Sequence, residues 1–307
     1  MQGSRRQRRA AVCGLVFLLC CLAACGDQSG LDSLFADGAA TAAHLNSYYE
    51  VLGAADLDAW KNQTIYDSLL QVPANPRMGD TVEQRIEALK QRAAAARALS
   101  HVYSSLAALR DPAALKDVEQ AGKNLGDALG GVKQLPGAAA ISSDGFSKAA
   151  ALLANLHRQK EIQRALPPLN ELLGSLSRMF DAEKDVYISI GSNRDELAGH
   201  LLEAAVKRKL AAPGAILPQT LLGAPVTWPS DETSAGTALA VARITVQRSE
   251  HAWSCATQQT SLLLSALLNA QQQALSGSGG GLHALDDDLG QAKACLTEYR
   301  FLSKVEK

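Results

Sequence analysis

Apolar residues return every three or four positions along most of the chain, the spacing of one face of an α-helix. From Ala39, Leu45, Tyr48, Tyr49 and Leu52 share such a face. Gly53 predicts a break, and Leu57, Trp60, Ile65 and Leu69 predict a second piece that Pro73, Pro76 and Gly79 end. Asp80 and Glu83 form a capping-box pattern, each side chain positioned to satisfy a free N–H of a first turn. The stripe beyond it runs through Val82, Ile86, Leu89, Ala93, Ala96, Leu99, Val102, Leu106 and Leu109 to Asp111-Pro112, where proline cannot continue the preceding helix. Leu115, Val118, Leu125 and Leu129 predict the next helix, stopped by Gly130-Gly131. Ser142-Ser143-Asp144 predicts another, running to about Arg164. Leu166-Pro167-Pro168 reads as a corner, and a helix follows from Leu169 to about Leu210, with a bend or division at Gly191. A Pro-rich connector over 212–230 precedes a long helix from Ser230 or Asp231 to about Leu275 and a last one from about Leu282.

No strand-rich stretch interrupts this pattern. The expected fold is all-α: an elongated bundle of about six to seven helices, several of them long, with coiled-coil-like packing. Composition agrees. Hydrophobic residues are 47% of the 307 but aromatics only 5%, with alanine and leucine prominent. Small apolar side chains let helices approach closely and do not fill a thick core. Residues 39–307 read as a single helical domain and 25–38 as a tether.

The N-terminus obeys another logic. Arg5, Arg6, Arg8 and Arg9 precede a short apolar run, Ala10 to Leu22, and then Leu22-Ala23-Ala24-Cys25. Charge, apolar core and small residues in that order make an export signal over 1–24. Leu at −3, small residues at −2 and −1 and the cysteine resemble the bacterial lipobox. The resemblance implies cleavage between Ala24 and Cys25, with lipid on the Cys25 sulfur. Two or more acyl chains at about 0.8 kcal/mol per buried CH₂ make a firm anchor. Gly26, rather than Asp, follows the cysteine, which favours the outer membrane facing the periplasm. The expected partners are therefore a membrane, through the lipid, and an envelope protein. Without the four signal arginines, 26 basic residues face 31 acidic ones, so no global positive field exists for nucleic acid.

Cys13, Cys20 and Cys21 leave with the signal, so Cys255 and Cys295 remain. An oxidising compartment favours their pairing. A tight turn at Gly277–Gly281 would leave them about 10 Å out of register in an antiparallel hairpin, beyond the roughly 7 Å a disulfide spans. Pairing then requires a longer turn or a broken helix.

Candidate chemistry is sparse, and no cofactor motif appears. Glu196, His200 and Glu203 sit at i, i+4 and i+7, the spacing of a metal site on one helix face. The competing reading is a solvated face steadied by Arg194, Lys207 and Arg208. His157 with Glu161, and Glu250 with His251, read as exposed pairs. The run Ser276 to Gly281 reads as a flexible linker, lacking the lysine of a phosphate loop. His44, Tyr48, Tyr49, Trp60 and Tyr66 form either a partner-binding surface or a local core, and Trp228 and Trp253 are expected to pin the connector to the long helix. The function expected from all this is a lipid-anchored, non-enzymatic scaffold or interaction protein of the envelope. A ligand-binding bundle is the first alternative. A metal-dependent enzyme using Glu196, His200 and Glu203 is the second.

Overall fold

The structure is a computed structural model. It describes residues 3–73, 76–108, 115–136, 166–208, 232–276 and 282–303, with side chains from Gly30 onward except at 76–77, 115, 205–206, 232–239, 241–242 and 282–284. Outside the described residues lie the Asp111-Pro112 junction, the helix expected from Ser142, the pair His157/Glu161, the 212–230 connector with Trp228, and the Gly277–Gly281 turn.

The described residues form six helices and no strand, so the fold is all-α. They are α1 (Gly3–Leu70), α2 (Pro76–Ala107), α3 (Leu115–Gly130), α4 (Leu166–Lys207), α5 (Glu232–Ser276) and α6 (Leu282–Ser303). At 1.5 Å per residue, α4 and α5 are each about 65 Å long. Against α1 pack α2, α4, α5 and α6, while α3 packs on α2. Successive long helices run antiparallel. Ser100 reaches the Ala39 carbonyl midway along α1, and Arg85 reaches Asp56 further up. Arg208, just past α4, donates to the carbonyl of Leu69 at the far end of α1.

Several boundaries differ from expectation. Helix α1 runs unbroken through Gly53, which abuts Leu89 across the α1–α2 contact, so burial there outweighs the poor helix propensity of one glycine. The same helix covers the segment expected as a tether: Leu34 and Phe35 are buried in the core. Helix α2 starts at Pro76, a residue suited to a first helical position, so Asp80 and Glu83 lie inside the helix rather than at its cap. Pro167 and Pro168 likewise sit in the first turn of α4 instead of making a corner. No division occurs at Gly191.

Helix α1 ends in a Schellman arrangement. The N–H of Val72 bonds the carbonyl of Asp67 at 2.9 Å and that of Gln71 bonds Ser68 at 3.2 Å, satisfying two terminal carbonyls. Gln71 takes φ 57°, a conformation usually given to glycine.

The aromatics settle in the middle of the rod. Tyr48 stacks on Trp253 with ring centres 5.0 Å apart, and Trp253 meets Tyr299 at 4.7 Å. Phe180, Tyr187 and Tyr49 close the cluster. Of the two readings of His44, Tyr48, Tyr49, Trp60 and Tyr66, the core one holds for the first three, which are buried, while Trp60 and Tyr66 are half-buried. Trp253 is fully buried as well, against Tyr48, Tyr299 and Gly191 in the bundle core.

Buried polar contacts fix the register of these helices. Arg92 on α2 donates through Nε and Nη2 to both oxygens of Glu183 on α4, and Tyr187 donates to the same carboxylate. Tyr48 pairs with Thr257 at 2.8 Å, His44 with Thr260 at 3.0 Å, and Gln271 donates to Tyr103. Sliding any helix by one turn would strand these groups away from water, at about 1–3 kcal/mol for each unsatisfied group.

Cys255 and Cys295 are joined, with Cα atoms 5.8 Å apart. The expected misregister is absent because the hairpin is not symmetric. The disulfide and the Arg248–Glu298 ion pair at 3.0 Å set Leu282 opposite about residue 267 of α5. Helix α5 therefore overruns the start of α6 by about two and a half turns.

Candidate binding groove between two helix faces

At the far end of α1, helices α4 and α5 run side by side in opposite directions. Gly191 faces Trp253 and Gly199 faces Val246, whose Cγ2 lies 3.7 Å from where a Cβ on the glycine would sit. This register sets two faces of equal spacing against one another. One is Glu196, Gly199, His200 and Glu203; the other is Arg243, Val246, Gln247 and Glu250. Together with Leu202 they line a groove of about 320 Å³. Its size sits at the lower end of ordinary small-ligand pockets. Gly199 keeps it open because no side chain stands there, and buried Leu202 and half-buried Val246 supply apolar surface.

The charges differ at the two ends. Glu203 lies opposite Arg243 and is bonded by Lys207 at 2.6 Å; that bond and the lysine charge hold its carboxyl below the usual range. At the other end Glu196 lies opposite Glu250, and Asp195 is fully buried close by. Burial raises the Glu250 carboxyl, and the charges of Asp195 and Glu196 push it further up. Among the described residues no cation bonds Glu250. Asp195 bonds Arg194 at 2.6 Å through one oxygen and has buried Ser249 as a second hydrogen-bonding neighbour. Burial raises the Asp195 carboxyl despite Arg194.

The residues singled out from sequence fall as follows. Cys25 and Ala24 lie within α1, before the first described side chain. Glu196, His200 and Glu203 do share a face, but His200 is 3.9 Å from Glu196 and packs at a tilt against Tyr66, with ring centres 5.9 Å apart. Among the described residues no group of three or more His, Cys, Asp or Glu side chains is placed to hold a metal ion. Arg194 does not steady a solvated face. It is buried, bonded to Asp195 and donating to the carbonyl of Ser303 at the end of α6. Lys207 does engage the face through Glu203, whereas Arg208 turns to Leu69. His251 is exposed, as read, but Glu250 faces the groove.

Arg243, Val246 and Gln247 escaped the sequence reading. Their signal was present: positions 243, 246, 247 and 250 repeat the spacing of 196, 199, 200 and 203. Which two faces meet across roughly forty residues of chain is not a local property. A comparison with protein-family models, curated proteins and solved structures finds no match.

Proposed function

We propose that the chain is a lipid-anchored, periplasm-facing helical scaffold of the bacterial envelope that acts by binding rather than catalysis. The reading rests first on the Leu22-Ala23-Ala24-Cys25 signature. What supports it in the fold is α1. From Cys25 to Leu70 the helix advances about 65–70 Å, and from Leu34 onward it is part of the core. A lipid on Cys25 would thus be coupled to the rod without a loose tether, holding the opposite end at a set distance from the bilayer. Ile65, Leu70, Val72 and Met78 are exposed at that opposite end. Exposed apolar side chains gathered at one place suit contact with another protein.

The test has two parts. Mass spectrometry of the mature chain should show a diacylglycerol adduct on Cys25 and no residues before it. Cys25→Ala should release the protein from salt-washed membranes. An unmodified thiol on a chain that retains its arginine-rich leader ends this reading.

The groove favours a second reading, a ligand-binding bundle, since it combines apolar walls with a few converging polar groups. The two readings are compatible, because the groove lies near the end opposite the anchor.

A further inference from the structure

We propose that the outward face of α5 is where a second copy of this chain docks, the two rods lying side by side and pointing the same way. The pairing goes beyond the anchored-scaffold reading and stands without it, because it is argued from the face and its flanks.

The face is unusual for what it lacks. Charged residues make up 20% of the chain, yet α5 has no Asp, Glu, Lys or Arg from Ala252 to its end at Ser276. Ser254, Gln258, Leu262, Ser265, Asn269 and Gln272 follow at steps of three and four on one line, and all but half-buried Ser265 are exposed. Leu262 is 48% exposed, and Ile244, about five turns earlier on the same line, is 58% exposed. The exposed line of α2 carries Glu83, Glu87, Lys90 and Arg97 over a similar length.

Such a line suits a second copy. When identical helices lie parallel about a two-fold axis, each residue of the seam meets its own copy, so a charge there would face a like charge. Serine, glutamine and asparagine carry both donors and acceptors and pair with themselves. A lone asparagine in such a seam, here Asn269, fixes the register of parallel helices.

The flanks agree. A two-fold axis along the rods sets the α4 side of one copy against the α6 side of the other. On α4, Asp181 accepts a bond from Ser261 at 2.6 Å, which puts Arg178 level with about residue 264 of α5. On α6, the Cys255–Cys295 bond puts Asp287 level with about residue 263. Asp287 also lies about three turns before Glu298, on the α6 line that Arg248 of α5 touches. Among the described residues Arg178 bonds only uncharged Ser175, and Asp287 is exposed. A parallel pair therefore brings opposite charges to one height on both sides of Leu262. An antiparallel pair would set α4 on α4 and α6 on α6 and lose these matches. Two chains held by Cys25 in one bilayer would also share a direction and meet at raised local concentration.

The test is oxidative crosslinking of the full chain in intact cells that express it. Gln258→Cys and Asn269→Cys, introduced singly, should each give a disulfide-linked dimer. Ala94→Cys, exposed on α2, is the control and should stay monomeric. Leu262→Glu should lower the Asn269→Cys yield about tenfold while helical circular dichroism stays unchanged. Arg178→Glu should lower it about fivefold, and adding Asp287→Arg should restore it. Crosslinking at only one of the two positions would indicate antiparallel rods and overturn the proposal. So would crosslinking at neither, an equal yield from Ala94→Cys, or a yield indifferent to Leu262→Glu. Mass spectrometry of Cys25 in the same sample separates the two readings. Linked dimers with a bare thiol keep the pairing and end the anchor; lipid-bearing chains that stay monomeric do the reverse.

Discussion

The indole of Trp253 packs on the backbone of Gly191, and its Nε1–H donates to the carbonyl of Tyr187 at 2.8 Å. A methyl group on residue 191 would overlap the five-membered ring of the indole. The glycine that reads as a weak helix breaker is therefore the place where α4 admits the largest side chain of α5.

Gly191→Ala should destabilise the protein by about 1–3 kcal/mol, because overpacking a full core outweighs the gain in helix propensity. Gly290→Ala on α6 is the control. A Cβ there meets nothing within 4 Å, so the same change should stabilise by up to about 1 kcal/mol. Urea unfolding of both variants, followed by far-ultraviolet circular dichroism, measures the contrast.

Glu183 and Arg92 form a buried ion pair, with side chains 0% and 1% exposed. Burial works against the charged guanidinium, yet the bond and charge of Glu183 hold the Arg92 pKa above its usual value. Glu183→Gln should cost about 3–5 kcal/mol by leaving Arg92 uncompensated. Arg92→Met combined with Glu183→Leu should cost much less than the sum of the single changes. Chemical denaturation of the full mutant cycle tests that coupling.

His44 governs an acid limb of stability. Burial first, then the charges of Lys293 and Arg300, lower its pKa to about 4. Thr260 bonds the ring at 3.0 Å. The unfolded chain takes up a proton near the ordinary histidine value of about 6.5, while the folded one does not. Stability is complete above that value and falls as pH drops toward 4, by about 3 kcal/mol in all. His44→Gln should remove this part of the slope. Subtracting its urea midpoints from those of the parent, between pH 4 and 7, isolates the histidine from carboxylates such as Asp195, whose raised pKa acts in the opposite sense.

The Cys255–Cys295 bond closes a loop of 40 residues. Reduction should lower stability by about 3–4 kcal/mol through the freed entropy of the unfolded chain. Thermal unfolding with and without a reductant gives the difference, and the Cys255→Ser/Cys295→Ser pair should match the reduced protein.

Gln71 is exposed and holds the left-handed position that ends α1. Gln71→Gly should raise stability by about 1 kcal/mol by relieving the Cβ crowding of that conformation. A rise in the urea midpoint with unchanged slope is the expected observation. A fall would show that the Gln71 side chain contributes contacts worth more than the backbone strain.

The stripe from Val82 to Leu106 and the Leu172, Leu176, Phe180 and Tyr187 positions were legible as buried helix faces, and all of them but half-buried Ile86 are buried. Periodicity reports burial turn by turn, so it carries the class of fold, the long helices and their apolar stripes. Helix ends were less legible. Gly53 and the Asp80 cap were read from local propensity; contact with α2 overrode the first, and Pro76 at the first helical position overrode the second.

The groove shows the same division. The chain order placed Glu196, His200 and Glu203 on one face without any help from the fold. It did not reveal that Glu250 lies opposite Glu196, that Arg194 turns inward, or that Cys255 meets Cys295. Each of those facts depends on the sliding register between helices far apart in sequence. That register is chosen by the fit of Trp253 on Gly191 and by the satisfaction of buried polar groups such as Glu183, and no local window of sequence contains both partners.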